Sequence, residues 1–190
     1  FYIFLIIFIS GYTIKKSDGL DLRLPKSSQI ANQEQNNSNP YKCDKTELYE
    51  CIIGESSNIK AIIIGDSHAD SLTTSLASIF DLKTEGVVSL STSACPLVLN
   101  LQYYDKESRC PQINKQRLAL IQSKKYKNIP IILAGRYPSY LIGENDPNRI
   151  PAAGSKPLVY FENNPKISQK NRFISFENNL EKTLCQISRS

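Results

Sequence analysis

From residue 59 onward the apolar positions follow two alternating rhythms, one suited to buried strands and one to amphipathic helices. The stretch IKAIIIG, Ile59 to Gly65, is apolar at successive positions rather than at every second one, as a strand covered on both faces of a parallel sheet requires. After it, Ala69, Leu72, Leu76, Ile79 and Phe80 recur at helical spacing and predict a helix over roughly 68 to 80. EGVVSLS predicts a second strand, and Ile113, Leu118, Ile121 and Tyr126 mark one side of a second helix. IPIILAG predicts a third strand, and Phe173, Phe176, Leu180, Leu184 and Ile187 an amphipathic helix running to the end of the chain. Strand and helix in this alternation predict the α/β class with a doubly wound parallel sheet. Sheets of that kind place their chemistry at the carboxyl ends of their strands.

Ahead of this pattern lies FYIFLIIFISGYTI, an apolar run that at 1.5 Å per residue spans about 21 Å against a hydrocarbon core of about 30 Å. Residues 1–14 therefore read as the end of a transmembrane helix. A signal-peptide core would bring a basic leading region and an A-x-A site, which are absent, and a buried strand or helix is the plainer alternative. Lys15 and Lys16 by themselves favour a cytoplasmic flank, whereas the cysteines point to the other side. Residues 15–40, ending in SSQIANQEQNNSNP, are polar and without apolar periodicity, a linker to a domain over residues 41–190. The chain begins at Phe1 and contains no methionine, so it reads as a fragment or a processed product.

Composition narrows the classes further. A chain of 190 residues with 41% hydrophobic content holds one ordinary core. The net charge of +5 comes from basic residues spread thinly rather than gathered in a stripe, which argues against a nucleic-acid partner. Five cysteines stand at 43, 51, 95, 110 and 185 with no C-x-x-C and one histidine in the chain, so no metal site is expected. Pairing Cys43 with Cys51 and Cys95 with Cys110 closes two short loops in an oxidising compartment and leaves Cys185 over. Five reduced, buried thiols are the alternative.

The candidate chemistry sits where the first strand passes into its helix, in AIIIGDSHAD. Gly65 permits a sharp turn, and Ser67 stands at the helix amino terminus, where backbone N–H groups and the dipole stabilise developing negative charge. The same residues fit a plain helix start in which Asp66 or Ser67 is the cap. The G-x-S-x-G elbow is absent, with Ala at position 69, and so are the Walker and dinucleotide glycine patterns.

IIIGDSHADSL resembles the first block of the SGNH hydrolase superfamily, in the form fused behind acyltransferase family 3 membrane proteins. SLSTSACPL resembles the segment after the second strand of those domains, and IPIILAGRYPSY their third strand with its Arg-aromatic ending. The resemblance covers residues 41 to 187 and implies a flavodoxin-like three-layer sandwich, here cut short at its carboxyl end behind the end of a transmembrane helix. Such proteins attach acyl groups, usually acetyl, to sugars of surface polysaccharide, lipopolysaccharide or peptidoglycan.

Carried onto this sequence, the resemblance makes Ser67 the nucleophile and its own backbone N–H one oxyanion donor, with Gly65 and Asp66 forming the turn. Secreted relatives also use a Gly after the second strand and an Asn after the third, where this chain has TSAC and GRY. Arg136 in GRY is a candidate for holding the oxyanion, a sugar or an anionic group, or else simply closes the strand. The family's catalytic Asp and His lie in a D-x-x-H that these residues lack. His68 follows Ser67 directly and points about 100° away around the helix axis, so it is read as orienting the turn or touching substrate. The expectation is a membrane-bound carbohydrate O-acyltransferase on the periplasmic side of the inner membrane. Its acyl donor would be acetyl-CoA-derived and passed through an N-terminal membrane domain of the same chain, its acceptor a glycan, and no cofactor would be bound. The missing D-x-x-H and a further strand would follow residue 190, so this piece alone would be nearly inert. An SGNH esterase and a non-catalytic glycan-binding module are the rivals.

Overall fold

The computed structural model describes residues 2–16, 23–29, 39–44, 47–48, 50–143 and 156–188. Most of the expected linker, residues 17–22 and 30–38, lies outside the described residues. The chain divides into two units, Phe1–Ser38 and Asn39–Ser190. In the first, the apolar run forms α1 (Tyr2–Lys16), fifteen residues with none buried. At 1.5 Å per residue α1 extends about 22 Å. No helix among the described residues is long and apolar enough to cross a membrane.

The second unit is built on a four-stranded sheet of β1 (Cys51–Gly54), β2 (Ile59–Gly65), β3 (Gly86–Ser91) and β5 (Ile131–Ala134), in the order β1-β3-β2-β5. The three strands predicted from the sequence, β2, β3 and β5, are mutually parallel as expected. The expectation of a wholly parallel sheet is corrected by β1, which pairs antiparallel with β3 from Cys51↔Ser89 to Gly54↔Gly86. A short connection leads from β1 into β2, and Gly54 with φ +83 sits where a Cβ would lie 2.4 Å from the Glu85 carbonyl oxygen. A two-stranded ladder of β4 (Gln102–Tyr103) with β6 (Val159–Tyr160) stands apart from the main sheet.

Side chains of the central strands alternate between two apolar clusters, which makes the unit three-layered. Ala61, Ile63 and Val87 pack with Ala69, Leu76 and Ala77 of α2 (Ser67–Ala77) on one face. Ile62, Ile64, Val88 and Leu90 pack with Leu118 and Ile121 of α3 (Cys110–Ile121) on the other. At about 25 cal/mol per Å² of apolar surface this double coverage explains why β2 tolerates almost no polar residue.

Three helix predictions need correction. In α2 the buried stripe is Ala69, Thr73, Leu76 and Ala77, while the expected core positions Leu72 and Ile79 are exposed, Ile79 beyond the helix end. The second helix stops at Ile121, and Tyr126 is buried from a separate 3-10 turn, Lys124–Tyr126. In α5 (Gln169–Ile187) the buried residues are Arg172, Ser175, Asn179 and Thr183, while Phe173 and Leu184 are exposed. That helix lies against irregular chain whose polar groups need partners. Leu99 N–H donates to Thr183 Oγ1 at 2.9 Å, and Asn100 Nδ2 to Asn179 Oδ1 at 2.8 Å. Phe176, Leu180 and Ile187 pack against the apolar clusters as predicted, so apolar burial and these hydrogen bonds together orient α5.

Candidate active site

At the carboxyl end of the central strand β2, Gly65 passes so close to β5 that an added Cβ would stand 1.6 Å from the Ala134 carbonyl oxygen. Only glycine fits there. Its own carbonyl is held by Thr92 N–H at 3.0 Å and by Arg117 Nη2 at 2.9 Å.

Asp66, 1% exposed, is the cap of α2. Its Oδ1 accepts from His68 N–H at 2.8 Å and lies 3.2 Å from His68 Nδ1. Its Oδ2 accepts from Arg136 N–H and from Tyr140 O–H, both at 2.8 Å. Because Asp66 does the capping, Ser67 does not. Ser67 is the first residue of α2 and exposed, and neither its hydroxyl nor its N–H has a partner among the described residues. An uncommitted hydroxyl and an uncommitted donor thus share one residue at a helix amino terminus, where the dipole favours negative charge.

The structure brings the sequence-predicted residues Gly65, Asp66, Ser67, His68 and Arg136 to one edge. His68, with its side chain 53% exposed, turns its ring onto Asp66 rather than onto Ser67. Arg136 joins the site through its main chain, as the residue that caps α4 (Tyr137–Ile142), a helix not anticipated from RYPSY. Both expected disulfides are present, Cys43–Cys51 and Cys95–Cys110, each with Cα atoms 5.3 Å apart, and Cys185 is free and exposed.

Several polar residues behind the turn were not anticipated. Arg117 is 0% exposed and reaches from α3 to Gly65 O, to Cys95 O at 2.8 Å and to Asn114 Oδ1 at 3.1 Å, so one guanidinium joins the turn to the disulfide-bridged segment. Burial pulls it down to about 10, against the upward pull of Tyr103 and of Asp66. Tyr103, Tyr137 and Tyr140 surround Asp66, and burial first, the carboxylate second, raise all three phenols, Tyr137 to about 12. A chain of hydroxyls, Thr73 to Ser89 to Ser91, each step 3.1 Å, ends on Asp70 Oδ1 at 3.3 Å. The one sequence signal for Arg117 was its place in the stripe Cys110, Ile113, Asn114, Arg117, Leu118, Ile121, which is wholly buried.

Residues 34–190 match the family model described as SGNH domain (fused to AT3 domains). The chain belongs to that family. No curated protein and no solved structure matches it. As an SGNH domain of the AT3-fused type it has a carbohydrate acyltransferase- or esterase-like role, and the fusion supports a membrane acyltransferase domain in the same polypeptide. Its two disulfides suit an oxidising, extracytoplasmic compartment. The departures seen in the sequence have structural counterparts. In TSAC, Ala94 adopts φ +55, a conformation that glycine adopts more readily, and in GRY the Arg136 N–H is already committed to Asp66.

Proposed function

We propose that this SGNH domain transfers acyl groups, acetyl in the first instance, onto sugar hydroxyls through an acyl-enzyme on Ser67. The observation that carries the reading is the division of labour at the turn, where Asp66 caps α2 and leaves both the Ser67 hydroxyl and the Ser67 N–H without a partner among the described residues. In the first step Ser67 Oγ attacks the acyl carbonyl, its proton passes to a base, and the donor's leaving group departs. In the second a sugar hydroxyl attacks the Ser67 ester, giving the acylated sugar and free Ser67. The Ser67 N–H faces the oxyanion in each step, supported by the helix dipole. The proton acceptor is a base other than His68, whose ring is turned onto Asp66. The donor is an acetyl-CoA-derived acyl group delivered by the membrane domain, and the acceptor a glycan of the cell surface met on the periplasmic face of the inner membrane.

The test is Ser67→Ala in the full-length protein. The lost hydroxyl makes no hydrogen bond among the described residues, so the folded protein is expected to accumulate normally, while acyl content of the surface glycan falls to background. Fluorophosphonate labelling at position 67 is expected in the parent and absent in the variant. Undiminished acylation by the variant overturns the proposal, and label on Ser67 together with ester hydrolysis but no transfer turns it into an esterase.

A further inference from the structure

A cavity of about 460 Å³ opens against the segment that follows β3. That volume lies within the range of small-ligand sites. Its wall includes Thr92, Tyr103, Asp105, Glu107, Arg109 and the Cys95–Cys110 bridge. Three hydrogen bonds fix the wall to the turn: Thr92 N–H donates to Gly65 O, and Arg117 donates to both Gly65 O and Cys95 O.

The polar groups of this wall are unequally committed. Asp44, also lining it, is satisfied by the Ser93 N–H and hydroxyl. The Arg109 guanidinium is paired with Glu47 at 2.7 Å. Asp105 Oδ1 accepts from Glu107 N–H at 2.9 Å, whereas Asp105 Oδ2 and the Glu107 carboxylate have no partner among the described residues. Thr92, 4% exposed, has a hydroxyl with no partner among the described residues, an uncommon condition for a buried polar group. Carboxylates only accept hydrogen bonds, so the ligand must present several O–H or N–H donors. With three carboxylates against one guanidinium already paired, it must not carry negative charge of its own. The Tyr103 ring supplies an apolar side against which a sugar ring can lie.

We propose that this cavity is the acceptor subsite, taking an uncharged sugar by its vicinal hydroxyls on Asp105 and Glu107 and rejecting uronic acids and phosphorylated sugars. The inference rests on the acyl-transfer reading, since it places the acceptor hydroxyl next to Ser67.

The experiment is saturation-transfer NMR on the full-length protein with methyl glucoside, methyl galactoside and methyl glucuronide as probes. The neutral glycosides are expected to bind and the glucuronide not. Asp105→Asn with Glu107→Gln is expected to weaken neutral binding at least fivefold, and Glu107→Lys to admit the glucuronide. Saturating neutral glycoside is expected to slow fluorophosphonate labelling of Ser67, since Thr92 of the wall donates to the carbonyl of Gly65, two residues before Ser67. Equal binding of the glucuronide, or neutral binding untouched by the double variant, overturns the inference. Labelling separates the two proposals. A protein labelled at Ser67 that binds no glycoside overturns the subsite alone, and one that binds glycosides through Asp105 and Glu107 but takes no label overturns the acyl-transfer reading and leaves the cavity a neutral-glycoside site without an acceptor role.

Discussion

Tyr140 O–H donates to Asp66 Oδ2 at 2.8 Å, so a phenol on α4 helps hold the carboxylate that caps α2 and sets the position of Ser67. Four donors converge on this one side chain, two on each oxygen. Asp66→Asn offers one acceptor oxygen and brings an NH₂ toward groups that themselves donate. Leaving buried donors unsatisfied at about 1 to 3 kcal/mol each, it is expected to destabilise the domain by about 2 to 4 kcal/mol. Tyr140→Phe removes one bond and is expected to cost about 1 to 2 kcal/mol. Urea unfolding followed by circular dichroism measures both, and a loss below that of Tyr140→Phe for Asp66→Asn refutes the four-donor account.

Tyr137 differs from Tyr140 in one respect, since its buried hydroxyl has no partner among the described residues. Tyr137→Phe is therefore expected to be neutral or to stabilise by up to about 1 kcal/mol at neutral pH, as read from the same urea curves.

The same residue gives an alkaline signature. Its phenol is raised from 10.0 to about 12 in the fold, so the folded state holds the proton more tightly than the unfolded chain. The associated stability is complete below pH 10 and is lost as pH rises through 12. Arg117 works in the opposite sense. Its guanidinium falls from 12.5 to about 10, so the folded state sheds its proton first, and the cost of burying the charge is relieved between pH 10 and 12.5. Subtracting Tyr137→Phe from parent stability across pH 8 to 12 isolates the tyrosine. A flat difference would falsify its assignment as the buried phenol beside Asp66.

Gly65→Ala must displace either β2 or β5, since the new Cβ meets the Ala134 carbonyl at 1.6 Å. The expected cost is at least about 3 kcal/mol, at the upper end of overpacking. A soluble variant with parent-like melting temperature would contradict that contact.

The two bridges close separations of 8 and 15 residues, for which loop-entropy arguments give about 2.5 and 3 kcal/mol respectively. Non-reducing peptide mapping of protein from an oxidising compartment is expected to show one free thiol, Cys185. Replacing Cys95 and Cys110 by Ser is expected to loosen the segment that Arg117 ties to Gly65, and so to slow labelling of Ser67 more than replacing Cys43 and Cys51 does. Equal effects of the two pairs refute that link.

By itself the sequence determined those features that local pattern dictates. IKAIIIG is β2 to the residue, because a strand covered on both faces must be apolar at consecutive positions. The two disulfides were legible because each joins cysteines close along the chain. The turn at Gly65, Asp66, Ser67 and His68 was legible because an apolar run that meets glycine and two capping residue types marks where a strand ends and a helix begins. The sequence left open whether Ser67 caps or stays free, since Asp and Ser are equally good caps. Tertiary structure decided it: Arg136 N–H and Tyr140 O–H, some seventy residues away, fix the Asp66 carboxylate in the capping position. It also decided features that no periodicity carries. The antiparallel β1 is four residues long and owes its place to β3. Arg117 is buried because Gly65 O and Cys95 O, from two other elements, accept its bonds. The inner face of α5 carries Asn179 and Thr183 beside Phe176 and Leu180 because the chain it lies against presents Leu99 N–H and the Asn100 amide, which hydrogen-bonding side chains satisfy.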